Sequence, residues 1–289
     1  MARSAHPSVR RSKPQPADPR LAIPELEARI EASRGSFKHS VEIQERVRSR
    51  GEPMKEHQLF FPAQDLAKEA GCLCALGRWP EAKAAFLEGS RFSEEGAFYG
   101  GRLRRGALGG AIQDAILAGE RERALRLVHR ERPPLLEEGR TLSFYLAEEP
   151  LLTGDEAGLR RVIEEAREYE RTHEAGFPGY WDAVEALLQG SADAFAAGIA
   201  KVLEKHGVLT RVHNSFLYNA ADALLCRSAT ALAILAAWRG IRLPADLPGR
   251  RKVVRWPLID LTEFDGKPLE RDTKFELEAD FIPPGLLPE

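Results

Sequence analysis

The side chains with the widest chemical reach in this chain are few and scattered. His206 and His213, with Asp222 further on, are the nearest approach to a base and its partners. Imidazole titrates near neutrality and serves as general base or metal ligand. His206, however, follows Lys201 and Lys205 in a last helical turn, where positive charge suits the helix dipole, and no carboxylates are spaced to complete a site. His129 and His173 end charged helical runs and read as solvated residues. Cys72 and Cys74 are separated by one residue, which turns their thiols about 200° apart on a helix. With Cys226 they make an odd number in apolar surroundings, so buried small hydrophobes are expected, with neither zinc nor a disulfide framework. No HExxH, phosphate loop, nucleophile elbow or CxxC pair is present, and no cofactor or metal is expected. The glycines of Gly106 to Ala111 lack a following lysine and a preceding strand, so they point to close helix packing rather than a phosphate cradle.

Carboxylates come in adjacent pairs, Glu148 with Glu149, Asp155 with Glu156 and Glu164 with Glu165, followed by Glu168. Neighbouring residues on a helix diverge by about 100°, which suits solvated faces better than a general acid and base. Their clustering makes Glu148, Glu149, Asp155, Glu156, Glu164, Glu165 and Glu168 the candidate acidic surface for a partner. The aromatic group Phe177, Tyr180 and Trp181 at a loop-to-helix junction is assigned to the core, with exposed anchors as the alternative.

These residues need elements to position them, and from Pro24 to Gly240 those are helices. Runs rich in Ala, Leu, Glu and Arg, broken by Gly or Pro, predict helices over 24–33, 36–50, 62–76, 80–92, 96–118, 120–130, 140–152, 155–173, 179–188, 191–206 and 214–239. In Asp155 to His173, Leu159, Val162, Ile163 and Ala166 form an apolar stripe, with Asp155 as N-cap. An apolar helix end, a glycine and a polar turn recur at Gly77, Gly119, Gly154 and Gly190, with spacings of 42, 35 and 36 residues. Each glycine is expected to be a left-handed C-cap. That period fits tetratricopeptide-like helical hairpins, and an irregular antiparallel bundle would leave the same trace.

The final helix, in ADALLCRSATALAILAAW, has no polar face, so it should be buried on every side. Arg227 inside the run, with Asp222 and Arg239 at its ends, counts against a membrane span. After Gly240, KVVRWPLIDL and the alternating FELEADF predict a short β-hairpin that closes the core, ended by Pro283 and Pro284. The expected organisation is a disordered basic Pro-rich tail over 1–23 and one helical domain over 24–289, with 240–289 its closing loop and hairpin.

The chain has 289 residues, 42 basic and 44 acidic. Its first 50 residues hold 11 basic and 6 acidic side chains, leaving the body mildly acidic. Such a surface does not suit nucleic acid and does suit a basic protein. Arg10 and Arg11 lack a following apolar segment, so neither export nor anchoring is supported and the cytoplasm is expected.

Three elements in order resemble the immunity protein 49 family of bacterial polymorphic toxin systems: ALLQGSADAFAAGIAKVLEKH at Ala186 to His206, the apolar helix ending at Arg239-Gly240, and ELEADFIPPGLL at Glu276 to Leu287. Phe195, His206, Arg239, Gly240, Asp280, Phe281 and Pro283 occupy the places that carry it. The resemblance covers about 100 residues, and the stretch from Leu243 to Lys274 is longer than the family leads one to expect. It implies a non-catalytic, mostly helical cytoplasmic protein that binds and neutralises a cognate toxin. An acidic inhibitor would suit a basic nuclease toxin. The other reading is a helical-repeat adaptor or scaffold holding a peptide or partner domain in a concave groove. A third is an enzyme assembled from dispersed residues such as His206, His213 and Asp222.

Overall fold

The computed structural model describes residues 19–76, 78–133, 145–172, 179–209, 225–241 and 243. These residues are mainly helical. They form α1 (Pro19–Ser49), α2 (Glu56–Ala75), α3 (Trp79–Phe98), a 3-10 turn (Tyr99–Gly101), α4 (Arg105–Leu117), α5 (Arg121–His129), α6 (Tyr145–Thr153), α7 (Glu156–Thr172), α8 (Tyr180–Gln189), α9 (Ala192–Leu209) and α10 (Arg227–Trp238). No strand occurs among the described residues, and both segments of the expected β-hairpin lie outside them. Residues 1–18 of the expected tail also lie outside, while Pro19 to Ile23 belong to α1.

The two helices expected over 24–33 and 36–50 are one. A glycine inside a helix costs about 1 kcal/mol relative to alanine, but tertiary packing overrides it. Here Leu26, Ile30, Ser33 and Gln44 are buried on both sides of Gly35, so one face stays committed to the core throughout. Helix α2 begins six residues before Pro62. Proline has no N–H to give the carbonyl four residues back. That carbonyl, on Gln58, instead accepts a 2.5 Å hydrogen bond from Gln44 Nε2 of α1, so the proline's missing donor becomes a tie between helices.

The helix expected over 96–118 is interrupted at Gly100, which has φ +72°. Arg104 stabilises the break, donating through Nη1 to the carbonyls of Gly96 at 3.3 Å and Tyr99 at 2.9 Å. Three of the four turn glycines lie among the described residues, and all three have left-handed φ: Gly119 at 73°, Gly154 at 73° and Gly190 at 69°. After α4 the amides of Gly119 and Glu120 bond to the carbonyls of Ile116 and Ala115. The same paired pattern closes α8 at Gly190 and Ser191, and α10 at Gly240 and Ile241. This pair of hydrogen bonds satisfies carbonyls of the last turn as the chain turns back. Gly77 lies outside the described residues.

Helices next to one another in sequence pack together, α1 on α2, α2 on α3, α3 on α4, α4 on α5, α6 on α7, α7 on α8 and α8 on α9. Beyond these, α4 packs on α6, and α10 returns across the chain to pack on α4, α6 and α8, with a contact on its neighbour α9. Ala229 to Ala236 of α10 are all buried, as its lack of a polar face predicts. The helix is shorter than expected at its start, because Leu225 and Cys226 are not helical.

Small residues set the closest approaches. A Cβ on Gly198 of α9 would lie 2.6 Å from the backbone nitrogen of Ala183 in α8, so those helices touch backbone to backbone. Gly89 of α3 faces Asp114 of α4, where an added Cβ would stand 3.2 Å from Oδ2. The packing expected of the glycines in α4 is present: Gly109 is buried, and a Cβ on Gly110 would be 3.8 Å from Ser93 Oγ. Tyr180 and Trp181 lie in the core at 0% and 1% exposure, their rings edge to face 5.1 Å apart. Phe177 lies outside the described residues.

Candidate functional site

The seven acidic residues singled out by sequence divide into different environments. Glu148 is the clear correction: it is fully buried, at 0% exposure, and belongs to no surface. The register of α6 explains this. Glu148 shares the inward face with Leu151 and Leu152, three and four residues on. Glu149, one step round the helix, reaches outward and accepts from Arg132 Nη2 at 2.5 Å. Asp155 is the N-cap of α7, its Oδ1 accepting the amide of Gly158 at 2.9 Å. Glu156 stands 3.9 Å from Arg160, and Glu168 accepts from Arg171 Nη2 at 2.7 Å and from its Nε at 3.0 Å. Glu164 and Glu165 are exposed.

The outward face of α7 is therefore not purely acidic. Leu159, Ile163 and Ala166 face the core, while Glu164, Glu165 and Glu168 share the outside with exposed Arg160, Arg161 and Arg171. Beside this face a second network joins three helices. Arg167 of α7 donates to Asp182 of α8 at 2.5 Å, and Lys201 of α9 donates to the same carboxylate at 2.9 Å. Burial raises the Asp182 pKa, but hydrogen bonds from Arg167 and Lys201 outweigh it and hold the carboxyl below its ordinary range.

The interior holds a polar cluster that sequence reasoning did not assemble. Asp114 sits in the apolar helix α4 at 2% exposure and accepts a hydrogen bond from Arg227 Nη2, the first residue of α10. The carboxylate thus stands at the N-terminal end of α10, where its negative charge suits the helix dipole. Beside Asp114, the Gln113 side chain donates to Glu148 Oε1 at 2.8 Å. Glu148 Oε2 is buried and has no hydrogen-bond partner in the structure. Burial first, and the neighbouring Asp114 charge second, push the Glu148 carboxyl up to about 8 against the pull of Gln113 and Arg227. The signal in sequence was an acid alone in one apolar helix and an arginine alone in another. Each needs a partner in a dry interior, and each is the other's nearest recourse.

His206 is buried at 3% exposure on α9, with Phe195 at 0% on the same helix. His213 and Asp222 lie outside the described residues. His129 is exposed, as read from sequence, and His173 lies outside. The three cysteines are buried free thiols, and burial raises the Cys74 pKa well above its ordinary value. Among the described residues no group of three or more His, Cys, Asp or Glu could hold a metal ion. No helix of the described residues is long and apolar enough to cross a membrane. No protein-family model matches the chain, and neither a curated protein nor a solved structure matches it.

Proposed function

We propose that this chain is a non-catalytic cytoplasmic immunity protein that binds and neutralises a cognate polymorphic toxin. The observation that carries this reading over the adaptor is the position of α10. In a stack of tetratricopeptide-like hairpins, alternate helices line the groove that takes a peptide. Here α4, α6 and α8 are the alternate helices, and the chain's own apolar α10 lies against all three. We read the fold as such hairpins with their groove filled from within, which leaves the outer helical faces for a partner.

The residues behind the family resemblance support the same division of labour. Phe195 and His206 are buried in α9, and Arg239 donates through Nη1 to the Leu151 carbonyl of α6 at 3.1 Å. Gly240, at φ +80°, reverses the chain after α10. Asp280, Phe281 and Pro283 lie outside the described residues. Positions that hold a scaffold together identify a family, while a partner is met by the faces between them. With Glu148 inside, the partner surface reduces to the outer face of α7, with Glu149 of α6 beside it. A basic toxin, such as a nuclease, would have to pair with Glu164 and Glu165, which are exposed, and draw Glu168 from Arg171.

The test is co-expression with the product of the neighbouring toxin gene. Protection of the cells is expected, and equal killing with and without this chain would overturn the reading. Reversing Glu164, Glu165 and Glu168 to lysine together should weaken toxin binding at least about ten-fold while leaving the fold intact. Unchanged affinity would remove α7 from the interface.

A further inference from the structure

The cluster beneath α10 contains two carboxylates and one guanidinium in a space shielded from water. Asp114 and Arg227 make an ion pair, their side chains 3% and 15% exposed. Glu148 adds a second acid with one hydrogen bond, from the neutral Gln113. Its other oxygen is buried without a hydrogen-bond partner. The charges that act on it come from two of the helices packed on α6: Asp114 on α4 and Arg227 on α10. With Glu148 protonated the group is neutral overall. With Glu148 ionised it carries a net negative charge, and two acids compete for Arg227.

We propose that the first turn of α10 is a charge-balanced latch, closed while Glu148 is protonated and loosened when it ionises. The geometry puts the consequence at this turn. Arg227 begins α10, and Thr230 follows within one turn, its amide and its hydroxyl both bonded to the Cys226 carbonyl at 3.0 and 2.9 Å. A shift of the guanidinium from Asp114 towards Glu148 removes the side-chain tie between α4 and the residue that starts the helix. The far end is anchored separately, by the Arg239 bond to Leu151 and the reversal at Gly240. Opening is therefore confined to the N-terminal turn and does not expel the helix. Burial holds the Glu148 carboxyl at about 8, so the change falls in mildly alkaline solution.

Residue-resolved amide hydrogen exchange on the full chain tests this. Protection at Thr230 and Ala231, corrected for the intrinsic pH dependence of exchange, should fall about ten-fold or more from about pH 6 to about pH 9.5. Protection at Leu235 and Ala236 should hold. In Glu148→Gln, which keeps the shape and cannot ionise, Thr230 and Ala231 should show no fall. In Asp114→Asn the fall should also vanish, because an ionised Glu148 then balances Arg227. Constant protection in the unaltered protein, or the same fall in Glu148→Gln, would overturn the proposal. If a variant fails to fold, the carboxyl carbon resonance of Glu148 in the unaltered protein decides: titration near 8, together with the α10 amides, supports the latch, and titration in the ordinary carboxylate range refutes it.

Discussion

An arginine meets an acid both under α10 and on the outside of α7, with opposite consequences. Arg171 and Glu168 face water at a normal hydrogen-bond distance of 2.7 Å, and their side chains are 73% and 63% exposed. Solvent screens their attraction, and ordering two long side chains offsets much of the gain. Arg227 and Asp114 are largely withdrawn from solvent, with side chains 15% and 3% exposed, so removing either strands a mostly buried charge. The same chemistry is incidental on one helix and obligatory on the other. What separates them is burial, which ties the interior pair to the core and leaves the exterior pair in solvent.

The largest effect should follow from breaking the interior pair. Arg227→Met leaves Asp114 charged and buried, and should cost about 3–5 kcal/mol of stability by urea unfolding. Adding Asp114→Asn should recover a large share of the loss, since the stranded charge is gone. If the double variant is no better than the single, burial is not what distinguishes the two helices.

An effect smaller within any one pH unit, and tied to pH, belongs to Glu148. Its folded-state value of about 8 lies above the ordinary 4.5, so between those values the folded chain holds a proton that the unfolded chain has released. Stability must then fall as pH rises through that window, by up to about 1.4 kcal/mol per pH unit from this group, and level off beyond about 8. Glu148→Gln should flatten that slope when unfolding is followed across pH. The smallest effect should be Glu168→Ala on α7, within about 0.5 kcal/mol by the same unfolding measurement.

What sequence made legible was local. The N-cap at Asp155 needs only residues within one turn, and the reversals at Gly119, Gly154 and Gly190 need only a glycine after an apolar helix end. The burial of α10 followed from its own composition. Sequence did not disclose which face of α6 would turn inward, because Glu148 and Glu149 are equivalent until Leu151 and Leu152 find their neighbours. It also did not reveal that α1 would run through Gly35, a propensity penalty overruled by packing at Leu26, Ile30 and Gln44. The pairing of Asp114 with Arg227 was invisible for a related reason. Periodicity reports which residues leave solvent, and says nothing of which distant helix receives them.

That pairing also fixes an order of events during synthesis. Asp114 and Arg227 are 113 residues apart, and a growing chain emerges from its N-terminal end. The sides of α4, α6 and α8 on which α10 packs are therefore made before the helix that packs on them. A chain halted before Arg227 would present that unfinished seam, with an acid at its centre, to every other protein in the cell. Among the described residues, α10 is thus the helix whose synthesis closes this seam and gives the aspartate of α4 its arginine.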